Sequence, residues 1–245
     1  MSADSEASHQ SSAVSSNDNS NSKPPEIDFT KLPARKLLKE RDLPKKRKPW
    51  KEVELPVDAL LLTVQKCEFL SCVSYLNPGF FRSCRKIIGD VYFGEIGIGN
   101  TTKVALKRCP MGSREPGGSG IVLQYAVEQL NPKAVICVGI CGGLNEKELK
   151  LGDVAVLKKL KTLASVNVTD SRTLLEVPLE RNFLQLLTSS ADGWNPPLSD
   201  KKVAVNVKNG VFLTGRGEVD NKKRSADLTG QFPDALAIEK EAEGN

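Results

Sequence analysis

The fold class this sequence predicts is α/β, with strands covered by helices on both faces. Two observations lead there. Short apolar runs, the segment 57–64 foremost, lack the polar alternation of a half-solvated strand, the pattern of a strand covered on both sides. A segment of helical rhythm stands between such runs. Ile121, Val122, Ala126, Val127 and Leu130 recur at three- and four-residue intervals, and Asn131-Pro132 closes the helix. Buried strands alternating with helices imply a sandwich around a mainly parallel sheet.

Taken in order, the strand candidates are 57–64, 91–98, 103–109, 134–138, 153–157 and 210–214. Helical periodicity covers 121–130 and 182–190. Asn195-Pro196-Pro197 reads as a loop, and 164–178 has no clear period. No internal repeat is present. Residues 1 to about 30, rich in Ser, Asn, Asp and Glu, cannot bury enough apolar surface to offset chain entropy and are expected to be disordered. A basic stretch follows. Between Lys31 and Lys51 there are ten Lys/Arg and two Asp/Glu, whereas the rest of the chain holds 25 basic and 28 acidic residues. The net charge of +5 is therefore carried by this stretch, and the expected division is a leader over 1–52 and a folded domain over 53–245.

Those patterns exclude several function classes. The charge distribution argues against a nucleic-acid-binding face on the domain. The run 44–49, Pro-Lys-Lys-Arg-Lys-Pro, reads as a nuclear-localisation signal, a polyanion patch or a solvated linker. No apolar run is long enough to span a bilayer, and the polar N-terminus has no secretory h-region, so a cytoplasmic protein without membrane partners is expected. The six cysteines then read as reduced and buried. Cys137 and Cys141 have no His or second Cys pair nearby, so no metal is expected.

Two glycine constellations point to a ligand. Gly112-Ser113 and Pro116-Gly117-Gly118-Ser119-Gly120 precede the helix at 121, where backbone N–H groups can hold phosphate, carboxylate or ribose hydroxyls. No Gly-Lys-Ser/Thr closes this loop, so it is not a P-loop. The second constellation ends the strand candidate at 134–138 in Gly139-Ile140-Cys141-Gly142-Gly143-Leu144, followed by Leu151-Gly152-Asp153-Val154. Glycines at the carboxyl end of a buried strand let a flat base or a sugar approach the backbone.

The segment 136–144 with 151–154 resembles the signature of the nucleoside phosphorylase-I superfamily. That superfamily includes purine nucleoside and uridine phosphorylases and the 5′-methylthioadenosine/S-adenosylhomocysteine nucleosidases. Leu61-Leu62-Thr63-Val64 with Cys67-Glu68-Phe69 is similar to the family's first strand and its following Glu. Residues 210–215, Phe232-Pro233 and 237–241 are similar to its late strand, helix and Glu-Met-Glu strand. The resemblance runs from about 57 to 245 in the family's order.

The resemblance implies a three-layer α/β/α sandwich with a mixed sheet, in which the last strand and helices are missing because the chain stops at Asn245 before the family's Ser-Asp acid. It implies cleavage of the N-glycosidic bond of a purine nucleoside, such as adenosine or methylthioadenosine, by a homo-oligomer without a cofactor. Glu68 takes the position that orients the attacking water. Gly112, Ser113, Cys141, Gly142, Val219, Glu239, Lys240 and Glu241 take substrate-binding positions, with Glu241 on the ribose hydroxyls. There are departures. Lys240 stands where the family keeps Met, Glu218 where it keeps an aromatic, and Cys137 and Ile140 where phosphorylases keep Arg and Ser for phosphate. Phosphate as co-substrate is therefore poorly supported. The alternatives that stay open are a catalytically dead nucleoside-binding or regulatory protein, and a nuclear interaction protein acting through the basic leader.

Overall fold

The computed structural model describes residues 37–110, 118–145, 147–163, 173–189, 192, 205–215 and 222–239. The first strand, β1 (Ala59–Thr63), is an interior strand of the first sheet and leads into α1 (Lys66–Ser74). Then come β2 (Phe81–Arg85), β3 (Gly89–Ile96), β4 (Thr102–Arg108), α2 (Ser119–Leu130) and β5 (Ala134–Cys137). The second half holds β6 (Gly142–Gly143), β7 (Val154–Leu163), β8 (Thr173–Pro178), α3 (Arg181–Ser189), β9 (Val207–Thr214), α4 (Lys222–Gln231) and β10 (Ala235–Glu239). Two five-stranded sheets result, in the orders β2-β3-β4-β1-β5 and β6-β10-β9-β7-β8.

Both sheets are mixed, which corrects the mainly parallel sheet expected from periodicity. β1 runs parallel to β4 and β5, and β9 parallel to β7 and β10. The pairs β2/β3, β3/β4, β7/β8 and β6/β10 are antiparallel. Apolar runs report burial on both faces, and burial does not distinguish the two directions. β2 and β8 carry no sustained apolar run. β2 reads Phe-Arg-Ser-Cys-Arg, and β8 lies inside the stretch without a period. The expected strand 153–157 extends to Leu163.

Side-chain alternation sorts the core into faces. On the first sheet Leu60, Leu62, Val91, Phe93 and Ala105 pack with Val122, Ala126 and Leu130 of α2. The intervening Leu61, Tyr92 and Leu106 pack with Phe69 and Val73 of α1 on the opposite face. On the second sheet Leu213 and Ile238 meet Leu228 of α4 and Phe232 just after it, while Phe212, Ala237 and Leu160 face the other way. This is the layered α/β/α arrangement expected.

Helix ends follow local chemistry. α1 opens with a capping box in which the Gln65 side chain accepts from the Glu68 N–H and the Glu68 carboxylate from the Gln65 N–H. α2 ends on Asn131 in the left-handed conformation, φ 44°, its N–H donating to the Val127 carbonyl at 2.9 Å, with Pro132 behind it.

The basic stretch is seated on the fold from Leu37 onward. The Lys48 N–H donates to the Arg82 carbonyl at 2.7 Å, and the Ser83 hydroxyl to the Lys48 carbonyl at 2.8 Å. Arg47 forks onto both oxygens of Asp90 at 2.8 and 3.1 Å. Trp50 meets Phe93 edge-on with 5.8 Å between centroids. The segment thus covers the β2 edge, which would otherwise expose an unpaired ladder.

None of the six cysteines is joined in a disulfide, but the expectation that they are buried holds only for Cys109. Cys67 and Cys137 are exposed, and the other three are half-buried. The apolar runs around them cover the strand, not each side chain on it. Among the described residues no group of His, Cys, Asp and Glu could hold a metal ion, and no helix is long and apolar enough to cross a membrane.

Candidate active site

A cavity of about 510 Å³ opens where the two sheets meet, a size that suits a drug-sized ligand. The first sheet contributes Leu62 to Val64 and the turn from Cys137 to Cys141, and α1 contributes Glu68. The second contributes Ala155 to Leu157, Leu160, Phe212 and Glu239. α2 presents Ser119 and Leu123, and α3 closes the apolar end with Phe183 and Leu187. Most of the wall is hydrophobic, and the polar groups concentrate near the carboxyl ends of β1, β5 and β10. That is where open α/β sheets take ligands, because neighbouring chain segments diverge there.

Glu68 organises the polar end. It is the third residue of α1, and one carboxylate oxygen accepts from the N–H groups of Val64 at 3.0 Å and Gln65 at 2.7 Å. The other oxygen accepts from the Ile140 N–H at 2.9 Å. A single side chain therefore joins the end of β1, the first turn of α1 and the glycine turn after β5. A Cβ on Gly139 would sit 3.5 Å from the nearer carboxylate oxygen, an ordinary contact distance, so the Ile140 N–H bond and not the absence of a side chain fixes this turn against Glu68. An ionised carboxylate has about four lone-pair sites. Three are occupied here, which leaves capacity to accept from a water or a hydroxyl.

Of the other residues singled out from sequence, Cys141 and the half-buried Glu239 lie in the cavity wall. Burial, its largest cause, pushes the Cys141 thiol above its ordinary range. Gly142 does not line the cavity. It pairs with Ile238 in the β6/β10 ladder, where a Cβ would touch the Ile238 side chain at 3.4 Å. Gly112, Ser113, Val219, Lys240 and Glu241 lie outside the described residues, as do Arg114 and Glu218. The Gly-Asp-Val part of the motif is a structural clamp. The Asp153 carboxylate accepts from the N–H groups of Lys150 and Asn206, each at 2.9 Å, and these bonds hold its pKa below the usual carboxylate range.

Sequence reasoning missed Thr63, Ser119, Phe183 and Leu187. Ser119 had a signal, since it closes the Gly-rich loop at the start of a helix. The α3 residues had none, because an amphipathic helix shows which face is apolar and not what that face covers.

Comparison with known families decides the ancestry. The model of the phosphorylase superfamily matches residues 72–241. The chain belongs to the phosphorylase superfamily.

Solved structures agree with this superfamily fold. The 5′-methylthioadenosine/S-adenosylhomocysteine nucleosidase of Neisseria meningitidis, in complex with methylthio-immucillin-A, is 17% identical with a TM-score of 0.59, over 76% of this chain and 77% of that one. The Streptococcus pneumoniae nucleosidase with 8-aminoadenine is 19% identical, TM-score 0.57, over 76% and 77%. The Helicobacter pylori nucleosidase with butyl-thio-DADMe-Immucillin-A is 18% identical, TM-score 0.58, over 78% of each chain. No curated protein matches the chain.

Proposed function

We propose that this superfamily domain binds a purine nucleoside in the cavity between its sheets and cleaves the N-glycosidic bond by hydrolysis. The observation that carries the reading is Glu68. Its carboxylate is held by three backbone donors at the mouth of a largely apolar cavity and retains an acceptor site for water. In the mechanism proposed, Glu68 orients the attacking water, and negative charge on the cavity wall stabilises an oxocarbenium-like transition state. Purine is favoured because the similar solved structures carry adenine-type ligands, and the apolar wall suits a flat base such as that of adenosine or methylthioadenosine.

Hydrolysis is favoured over phosphorolysis at two positions. The superfamily resemblance aligns Cys137 and Ile140 with the Arg and Ser that phosphorylases use for phosphate. Here one is a thiol and the other an aliphatic side chain 69% exposed to solvent, and neither supplies a cation or hydroxyl. A second reading, nucleoside binding without turnover, is favoured by Lys240 and Glu218, which replace the apolar and aromatic contacts of the resemblance.

Calorimetry with adenosine and methylthioadenosine, paired with adenine-release assays with and without phosphate, separates these readings. Binding heat with phosphate-independent release is expected. Release that requires phosphate makes the domain a phosphorylase. Heat without release selects the binding protein. No heat with either nucleoside removes the proposal.

A further inference from the structure

The β2 edge carries a concentration of charge that the nucleoside cavity does not use. Residues 45–51 run alongside β2, joined by the bridge between Arg47 and Arg82 and by the Lys48 N–H to Arg82 carbonyl bond. The hairpin from β2 to β3 turns at Lys86-Ile87-Ile88. One exposed rim results, bearing Lys45, Lys46, Lys48, Lys51, Arg85 and Lys86. The nearby carboxylates are committed elsewhere: Asp90 holds Arg47 and lies 3.9 Å from Arg82, and Glu54 holds Lys103. Among the described residues, Glu52 is the acid left on this rim. At the hairpin tip Ile87 is 57% exposed between Lys86 and the buried Ile88.

We propose that this rim docks on an anionic phospholipid surface, with Lys45, Lys46, Lys51 and Lys86 facing headgroups, Lys48 and Arg85 held over the Phe81 and Trp50 rings behind them, and Ile87 entering the headgroup–acyl boundary. Clusters of four to eight Lys/Arg beside an exposed apolar or aromatic residue fit such a surface. Two features favour lipid over nucleic acid. Five of the six cations are lysines, point charges without the planar fork that reads a base. The sixth, Arg85, lies over the Trp50 ring at 5.4 Å, so neither group is open for a base to stack on. A nuclear-import receptor reading 44–49 as an extended peptide would have to peel it from β2, breaking the Lys48 and Arg47 bonds.

The test is co-sedimentation of the full chain with phosphatidylcholine vesicles prepared with and without phosphatidylserine, alongside single-stranded RNA in the same buffer. Binding only to the phosphatidylserine vesicles is expected, falling as salt rises past the range where the Debye length is about 8 Å. The triple change Lys45→Gln, Lys46→Gln, Lys86→Gln should weaken it on the order of 100-fold. Ile87→Ser, which alters no charge, should weaken vesicle binding on the order of tenfold and leave any RNA binding unchanged. Thermal melts of both variants should match the parent, since all four side chains are exposed. The proposal is overturned by absent vesicle binding, by equal binding to neutral vesicles, or by RNA binding tighter than vesicle binding with Ile87→Ser silent on vesicles. The last result would make the rim a general polyanion site.

Discussion

At the residue scale, Glu68 shows how one carboxylate can be both a structural bracket and a candidate catalytic group. Its bonds to Val64, Gln65 and Ile140 hold the cavity mouth. Glu68→Ala strands three N–H donors and should lower stability by about 1–3 kcal/mol, read from urea denaturation. On the proposed reading, it should also cut nucleoside hydrolysis by about 10²–10⁴-fold. A loss of stability with turnover intact would leave Glu68 purely structural. Thiol chemistry gives a second residue-level prediction. Burial pushes Cys72 and Cys109 up to about 11, so at neutral pH both are protonated and slow. Cys67 and Cys137 should react first with an aromatic disulfide, and Cys109 only on unfolding, as counted by peptide mass spectrometry.

At the element scale, close approaches set the strand packing. A Cβ on Gly210 of β9 would lie 2.6 Å from Leu236 Cβ and 2.8 Å from its Cδ2, against the buried start of β10. Gly210→Ala therefore overpacks the second sheet and should cost about 1–3 kcal/mol by urea denaturation. Electrostatics ties the same sheet to its turn. Lys161 on β7 donates to both oxygens of Asp234 ahead of β10, at 3.0 and 2.8 Å. That hydrogen-bonded ammonium holds the Asp234 carboxyl below the usual range. The sign follows from linkage. The contribution is complete above the unfolded carboxyl value of about 3.9 and is lost as pH falls through the lower folded value. Asp234→Asn should therefore flatten the acid limb of a melting-temperature profile and leave its neutral limb parallel to the parent. An unchanged acid limb would show that this pair does not couple to folding.

At the scale of the whole molecule, the cavity is a joint between two sheets. Its walls come from β1 and β5 on one side and from β7, β9 and β10 on the other. A ligand that fills it bridges the halves and binds the folded state alone. A nucleoside at about 100 times its Kd should then stabilise the domain by about 2.7 kcal/mol, seen as a concentration-dependent rise in Tm. The six-cation rim lies on the β2 edge, on a strand that contributes nothing to the cavity wall. Lipid docking and nucleoside binding should therefore be separable by mutation.

By itself the sequence determined the fold class and the superfamily. Apolar runs located β1, β3, β4, β5 and β9, because hydrophobic periodicity records how each residue is buried. The glycine motif and Glu68 carried the ancestry, because those residues meet backbone constraints that few alternatives satisfy. Tertiary structure alone decided the rest. It set which strands pair and in which direction, put a strand at Thr173–Pro178 where no period exists, and paired Gly142 with Ile238 in the β6/β10 ladder. It joined the Glu68 carboxylate to an N–H 72 residues away and seated Lys48 on Arg82. A sequence pattern fixes whether a side chain is covered. Which distant segment covers it depends on loop closure and on packing among all the elements at once, and that information exists only in the folded chain.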